Sequence, residues 1–258
     1  MRNAWVRELT FRANLIITLV TRGCWFAMQI LLFEVIYQQV PLINDWTREE
    51  YFIFMATGML INAIVEAFFM PNCANFSELI RTGNLDFVLL KPMDPQFLVS
   101  FEKIDLSMLT QVFLALALLG YAFFELGRPV SLWNIACYGV LVVAAVTFFY
   151  SLMLALASTS IFFGRNQSLL DFWFYVTVFA RYPASIYSGS PVGEVVRFVF
   201  SYMLPILLVV TVPARTIGNM ALEPNWLIAF TISASLAALA VSRMIFLWTL
   251  TRYRSVAG

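Results

Sequence analysis

The chain has no histidine, and only Lys91 and Lys103 among its 16 Lys and Arg residues are lysines. The missing imidazole removes the commonest metal ligand and proton shuttle, which argues against a zinc-dependent membrane protease or a histidine relay. Neither lysine follows the glycines of a G-x-x-x-x-G-K-[ST] phosphate loop, so ATP hydrolysis by that device is excluded. A serine-nucleophile elbow and a potassium-filter TVGYG are missing as well. Cysteine is scarce: Cys24, Cys73 and Cys137 lie far apart in or beside apolar runs and read as free, buried thiols. Charge is scarce too, at 12% of residues against about 25% in soluble domains. A net charge of +1 gives nucleic acid nothing to hold. No catalytic residue and no metal ligand set is assigned.

What is abundant is apolar surface, at 61% of residues. This composition predicts an all-α polytopic membrane protein forming one domain with no repeat and no soluble appendage. About 20 apolar residues cross the hydrocarbon core as a helix. Spans are expected near 15–38, 51–73, 97–123, 132–162, 168–187 and 226–250. Thr47 with Glu50 has the form of a capping box for the second span, and Ser131 suits the cap of the fourth. Met1–Asn14 carries Arg2, Arg7 and Arg12 among Trp5, Leu9 and Phe11, which suits an uncleaved helix at the cytoplasmic interface.

Residues 192–217 are apolar enough to cross yet contain Glu194, Arg197, Pro205 and Pro213. If they dip in and return, both basic termini share a face with Arg81, Lys91 and Arg165, as the positive-inside rule favours. Six crossings are therefore expected, with both termini cytoplasmic and an outer re-entrant pair of half-helices broken near Pro205. Such a break is tolerable where protein or a wet cavity covers the freed backbone.

Asn75–Phe97 is the most informative stretch, being short, charged and crowded with helix starts and stops. Asn75 followed by Glu78 has the form of an N-cap, Phe76, Leu79 and Ile80 repeat at helical spacing, and Gly83 offers a C-terminal stop. Asn84 and Asp86 suit a second short turn with Phe87–Leu90 as its body and Lys91-Pro92 as its end. Asp94-Pro95 sets a cap and a first-turn proline for the next helix. A docking loop and an interfacial loop resting on lipid both account for this periodicity.

Ionisable residues within spans mark pathways or packing locks. Arg22 and Glu66 lie at matched depth in adjoining antiparallel spans and can pair, with Asn62 one turn from Glu66 adding a hydrogen bond; Arg22 snorkelling to the headgroups is the other reading. Asp171 and Arg243 are further polar candidates with no partner assigned. Phe172, Trp173, Phe174, Tyr175 and Phe179 line a path or face lipid.

Several segments together resemble the permease subunit of type-2 ATP-binding-cassette exporters, in the short six-span bacterial branch. They are R-x-N at Arg12–Asn14, G-N-L-D-F-V-L-L-K-P at Gly83–Pro92, R-Y-P-A-S-I-Y at Arg181–Tyr187, a re-entrant hairpin before the last span, and the Tyr253–Gly258 tail. The resemblance implies that Asn75, Phe76, Glu78, Leu79, Ile80, Arg81, Gly83, Asp86, Phe87, Leu90, Lys91 and Pro92 couple to a separate ATPase subunit. It implies an outer gate at Pro183, Tyr187, Glu194, Arg197 and Pro205. It further implies a bacterial cytoplasmic membrane, a second copy or related permease, and ATP with Mg on the partner ATPase, with no cofactor here. The competing classes are an ion-coupled secondary transporter using Arg22, Glu66 and Asp171, or a non-transporting scaffold. The sparse acidic residues and the missing inverted repeat count against the former.

Overall fold

The computed structural model describes residues 2–163, 173–175, 178–218, 220 and 225–253. Among them the chain is helical, without a β-strand. The helices are α1 (Arg2–Gln39), α2 (Arg48–Phe68), α3 (Met70–Arg81), α4 (Leu85–Leu89), α5 (Pro95–Ser100), α6 (Leu106–Leu126), α7 (Leu132–Phe163), α8 (Pro191–Phe198), α9 (Leu208–Ile217) and α10 (Leu227–Arg252). Five stretches are long and apolar enough to cross a membrane, or six if the bent pair Pro191–Met203 and Leu208–Ile217 is one span. That pair bends by 82° at a break holding Pro205. Proline supplies no backbone donor and stops helix propagation, so the break falls where the residue type requires it. Of the expected fifth span, 168–187, residues 168–172, 176 and 177 lie outside the described residues, Asp171 among them.

Local chemistry sets the helix ends. Thr47 and Glu50 form both hydrogen bonds of the capping box, Thr47 N to Glu50 Oε2 at 3.1 Å and Glu50 N to Thr47 Oγ1 at 3.4 Å. Ser131 accepts from the Trp133 amide at 3.3 Å at the start of α7. Asp94 accepts from Gln96 N and Phe97 N with Pro95 in the first turn of α5. Gly127, at φ 61°, ends α6 in the left-handed conformation that other residues seldom adopt.

Two boundaries differ from expectation. The third span does not start at 97: α5 ends at Ser100, and α6 begins again after Asp105, whose carboxylate accepts from Ser107 N at 2.9 Å. The apolar run conceals this break because Phe97, Phe101 and Ile104 are exposed and pack no core. At the N-terminus the backbone is one continuous helix from Arg2 to Gln39, so the expected interfacial segment and first span form a single rod.

Helix α7 occupies the centre, packed against α2, α3, α9 and α10, while α2 also packs on α6. Phe52, Ile53, Phe54 and Ile61 of α2 and Phe149 and Met153 of α7 are fully enclosed. In lipid, apolar burial gives little net drive for helix association, so close packing and interhelical hydrogen bonds carry it. Thr57 Oγ1 lies 3.3 Å from Tyr138 OH, and Ser77 Oγ donates to Ser160 Oγ at 2.8 Å, tying α2 and α3 to α7. Helix α1 stands outside, touching α2 and α6, with none of its most apolar window buried.

Candidate functional site

Helices α3, α4 and α5 build the segment singled out by its start and stop signals. Met70–Arg81 is one helix, restarted after Phe69 with Pro71 in its first turn, where a missing amide is tolerated. Asn75 is therefore a mid-helix residue and not the predicted cap. Its amide works across the fold instead: Oδ1 accepts from Lys103 Nζ at 2.7 Å and Nδ2 donates to Glu102 at 3.3 Å. Glu78 pairs with Arg81 at 2.5 Å on the exposed face, and this cation holds the Glu78 carboxyl below the usual carboxylate range. Gly83 sits at φ 72°, the left-handed stop that its position in the sequence predicts.

The apolar residues of this insert divide into two sets. Phe76, Ile80 and Leu85 are buried, and Leu79 packs against the core. Phe76 meets Phe246 of α10 with ring centroids 5.5 Å apart. Phe87, Leu90 and Met93 face outward with 69%, 80% and 52% of their surface exposed, and Lys91 and Pro92 lie beside them. Phe76, Leu79 and Ile80 thus anchor the insert, and its free face lies at Phe87–Met93.

Polar contacts fasten the base. Arg243 of α10 reaches Asp94 Oδ2 at 2.5 Å, Asp94 Oδ1 at 3.1 Å and Gln96 Oε1 at 2.8 Å. Gln96 Nε2 donates onward to Tyr150 OH of α7 at 2.9 Å, and that hydroxyl lies 2.6 Å from Ser100 Oγ. The guanidinium of Arg243 holds the Asp94 carboxyl down to about 2 against the opposing desolvation, with the Phe97 and Gln96 amides adding to the shift. Tyr253 stands beside Asp86; burial first, and then that carboxylate, raise its hydroxyl above the ordinary tyrosine value.

A cavity of about 800 Å³ lies between α1, α2 and α6 and is reached by Ala180, Arg181 and Tyr182. Arg22 NH1 sits 3.2 Å from Glu66 Oε2 at its wall, the pairing to which matched depth pointed. Asn62 does not join: its Oδ1 is buried without a hydrogen-bond partner. Gln111 of α6 takes that place, its amide oxygen accepting from Arg22 Nε at 3.3 Å and NH1 at 2.5 Å once the amide is oriented to satisfy both groups.

At the other end, Asn44 Nδ2 and Trp46 Nε1 donate to Ser185 O and Oγ at 2.8 and 3.0 Å. Arg48 pairs with Glu34 at 2.7 Å, Arg128 with Glu50 at 2.9 Å, and Arg215 with Asp45. Burial raises the Asp45 carboxyl, but the hydrogen bonds from Arg215 and Ser185 outweigh it and the net direction is down. Pro183 starts the turn over Ala184–Tyr187, and Tyr187 OH donates to Phe179 O at 3.2 Å. Glu194 pairs with Arg197 one turn on at 3.5 Å, exposed along α8. Pro205 lies in the break before α9.

A helical bundle with several membrane-length apolar rods and polar networks gathered at its two ends is a multi-pass membrane protein. The sequence profile of the ABC-2 family transporter proteins matches residues 24–257, and the chain belongs to that family. It is thus the transmembrane subunit of an ATP-binding-cassette transporter, a part that is not itself catalytic. No curated protein and no solved structure matches the chain.

Proposed function

We propose that the chain forms the translocation path of an exporter and receives its drive from a separate ATPase through the insert Asn75–Pro92. The observation that carries this reading is the division of the insert into a fastened base and an apolar apex. Phe76, Leu85 and the Arg243–Asp94 pair bind it to α7 and α10, while Phe87, Leu90 and Met93 are left without a covering partner among the described residues. A surface of that kind on a rigid mount suits a protein groove. ATP with Mg resides on the partner, and two ATPase subunits serve two membrane subunits, the second a copy or a related permease.

The arginine distribution supports a bacterial cytoplasmic-membrane location with both termini and the insert on the cytoplasmic side. Closure of the ATPase pair would push the apex. The push would reach α10 through Arg243 and Phe246 and α7 through Gln96 and Tyr150, in addition to the spans joined to the insert by the chain. The bent pair around Pro205, with Pro183, Tyr187, Glu194 and Arg197 beside it, would act as the outer gate.

The test is coexpression with a candidate ATP-binding-cassette ATPase subunit, followed by complex recovery, ATP turnover and substrate efflux in one reconstituted preparation. Phe87→Asp and Leu90→Asp are expected to lose the complex while the bundle stays inserted. Retention of wild-type complex and efflux by both variants would leave the insert a passive interfacial loop.

A further inference from the structure

Helices α2 and α6 have 21 residues each, so each runs about 31 Å and matches a hydrocarbon core of about 30 Å. The two pack against each other. The chain leaves the pair at Phe69, where α3 restarts, and returns to it across residues 101–105, between α5 and α6. These two breaks meet: the Asp105 amide donates to Ala67 O at 2.9 Å, and the Phe69 and Phe101 rings stand edge to face with centroids 5.5 Å apart. Residues 70–105 are therefore hung from both spans at a single joint.

Asn72 closes the joint. Its backbone amide donates to Phe69 O at 3.1 Å, one residue short of the helical acceptor, and its Nδ2 takes over that acceptor, Phe68 O, at 2.6 Å. Nδ2 also donates to Lys103 O at 2.7 Å, and Oδ1 accepts from Lys103 N at 2.8 Å. A carboxamide carries both the donors and the acceptor that a backbone bonded in both directions requires. Asn72 is 1% exposed, so water has little access to these bonds. We propose that Asn72 is the positioning residue that makes the two breaks one joint, so that a displacement at either break is passed to the other and α2 and α6 move as a pair. Close-packed helices resist sliding past one another, so a push entering both at one point moves them together. Only the source of the push, an ATPase, rests on the coupling reading; the joint does not.

The test is hydrogen exchange of the full chain in lipid nanodiscs, read as a double-mutant cycle. Ile104 is exposed at the second break, and Ile104→Gly loosens the backbone there without removing a core contact. With Asn72 in place, amides of 68–72 should quicken in step with those of 101–105, about two- to fivefold. Asn72→Leu alone should quicken 101–105 about tenfold, the worth of one to two hydrogen bonds, and leave α3 and α6 protected. With both substitutions present, Ile104→Gly should no longer reach 68–72. Asn72→Ala, which adds no bulk, repeats the cycle should Asn72→Leu not insert. Effects at 68–72 that simply add, or protection lost throughout α3 and α6, overturn the proposal, since Asn72 then only stabilises the fold. In a complex with a candidate ATP-binding-cassette ATPase subunit trapped by Mg-ATP and vanadate, wild type should alter exchange at the adjoining ends of α2 and α6 alike, and Asn72→Leu should confine the change to 70–100. A variant that passes the change to both spans as wild type does also overturns it. Failure of wild type to form that complex counts against the coupling reading alone, and the cycle still decides the joint.

Discussion

The two polar ends of the bundle are built on opposite plans. At the end expected to face outward, charges are paired off within the chain, Arg48 with Glu34, Arg128 with Glu50 and Arg215 with Asp45, and Trp46 hydrogen-bonds Ser185. At the other end, the Arg243–Asp94–Gln96–Tyr150 network holds only the base of the insert, and Phe87 and Leu90 project with most of their surface free. One end pairs its charged groups internally, and the other holds an apolar surface on a fastened base. A passive loop does not need a mount of this kind, because lipid offers the same solvation in many orientations. A surface that must meet a protein groove gains from being held, since ordering it beforehand lowers the entropy lost on docking.

The largest expected effect tests that contrast directly. A carboxylate at Phe87 or Leu90 places a charge in the core of the proposed interface, where anchors lost cost about 2 kcal/mol or more each, so recovery of the ATPase complex should fall about thirtyfold or further. Val195 of α8 is exposed to a similar degree, at 63%, but lies beyond the other end. Val195→Asp should change complex recovery less than about twofold. Equal losses in a pull-down of the three variants would break the distinction between the ends.

Glu50→Ala attacks the closed end, where the residue is buried, completes the Thr47 capping box and partners Arg128. A lost cap of this kind costs about 1 kcal/mol, and the stranded Arg128 and Thr47 amide bring the total to about 1–2 kcal/mol. A lowered midpoint in thermal unfolding, with the ATPase complex still recovered below it, is expected. Loss of the complex at low temperature would mean that the two ends are not separable.

These elements also show which parts of the molecule the sequence could reveal. Signals carried by neighbouring residues held: the Thr47–Glu50 box, the Asp94-Pro95 start, the left-handed Gly83 and the break at Pro205 are all backbone chemistry acting over a few positions. The Arg22–Glu66 contact was legible because depth in a membrane converts sequence position into height. Asn75 failed as a cap because Met70–Arg81 propagates through it and Lys103 and Glu102 engage its amide. The division of the insert's apolar residues was hidden too, since periodicity marks a helix face without saying what covers it. Arg243 found no partner in the sequence because Asp94 is 149 positions away and on an insert whose placement depends on tertiary packing.

The Arg243–Asp94 latch gives a smaller, pH-dependent effect. A carboxyl held at about 2 contributes stability that is fully present above its unfolded value near 4, and the contribution is lost as pH falls through about 2. Asp94→Asn keeps a capping acceptor but removes the charge. Both side chains of the pair are 42% exposed, so solvent screening limits the difference to under about 1 kcal/mol. Thermal unfolding of wild type and variant should therefore differ by a constant amount above about pH 4 and converge at lower pH. A gap that widens on acidification would assign the shift to another group.

The smallest effect is expected at Glu194–Arg197, and it sets the limit of the outer-gate reading. The pair lies one turn apart on an exposed face of α8, with 54% and 45% of each side chain open, and its 3.5 Å separation is long for a charged hydrogen bond. Exposed pairs of this type contribute about 0.5 kcal/mol or less and weaken with salt. Replacing both residues by Ala should leave thermal stability within about 0.5 kcal/mol and leave ATPase recovery unchanged. If the pair acts only as surface charge, efflux in proteoliposomes is also unchanged, and the gate then rests on the bend at Pro205 and on the contact between Phe179 and Phe200, whose rings stack at 4.5 Å. A marked fall in efflux with stability and complex intact would instead place these charges on the path of the exported molecule.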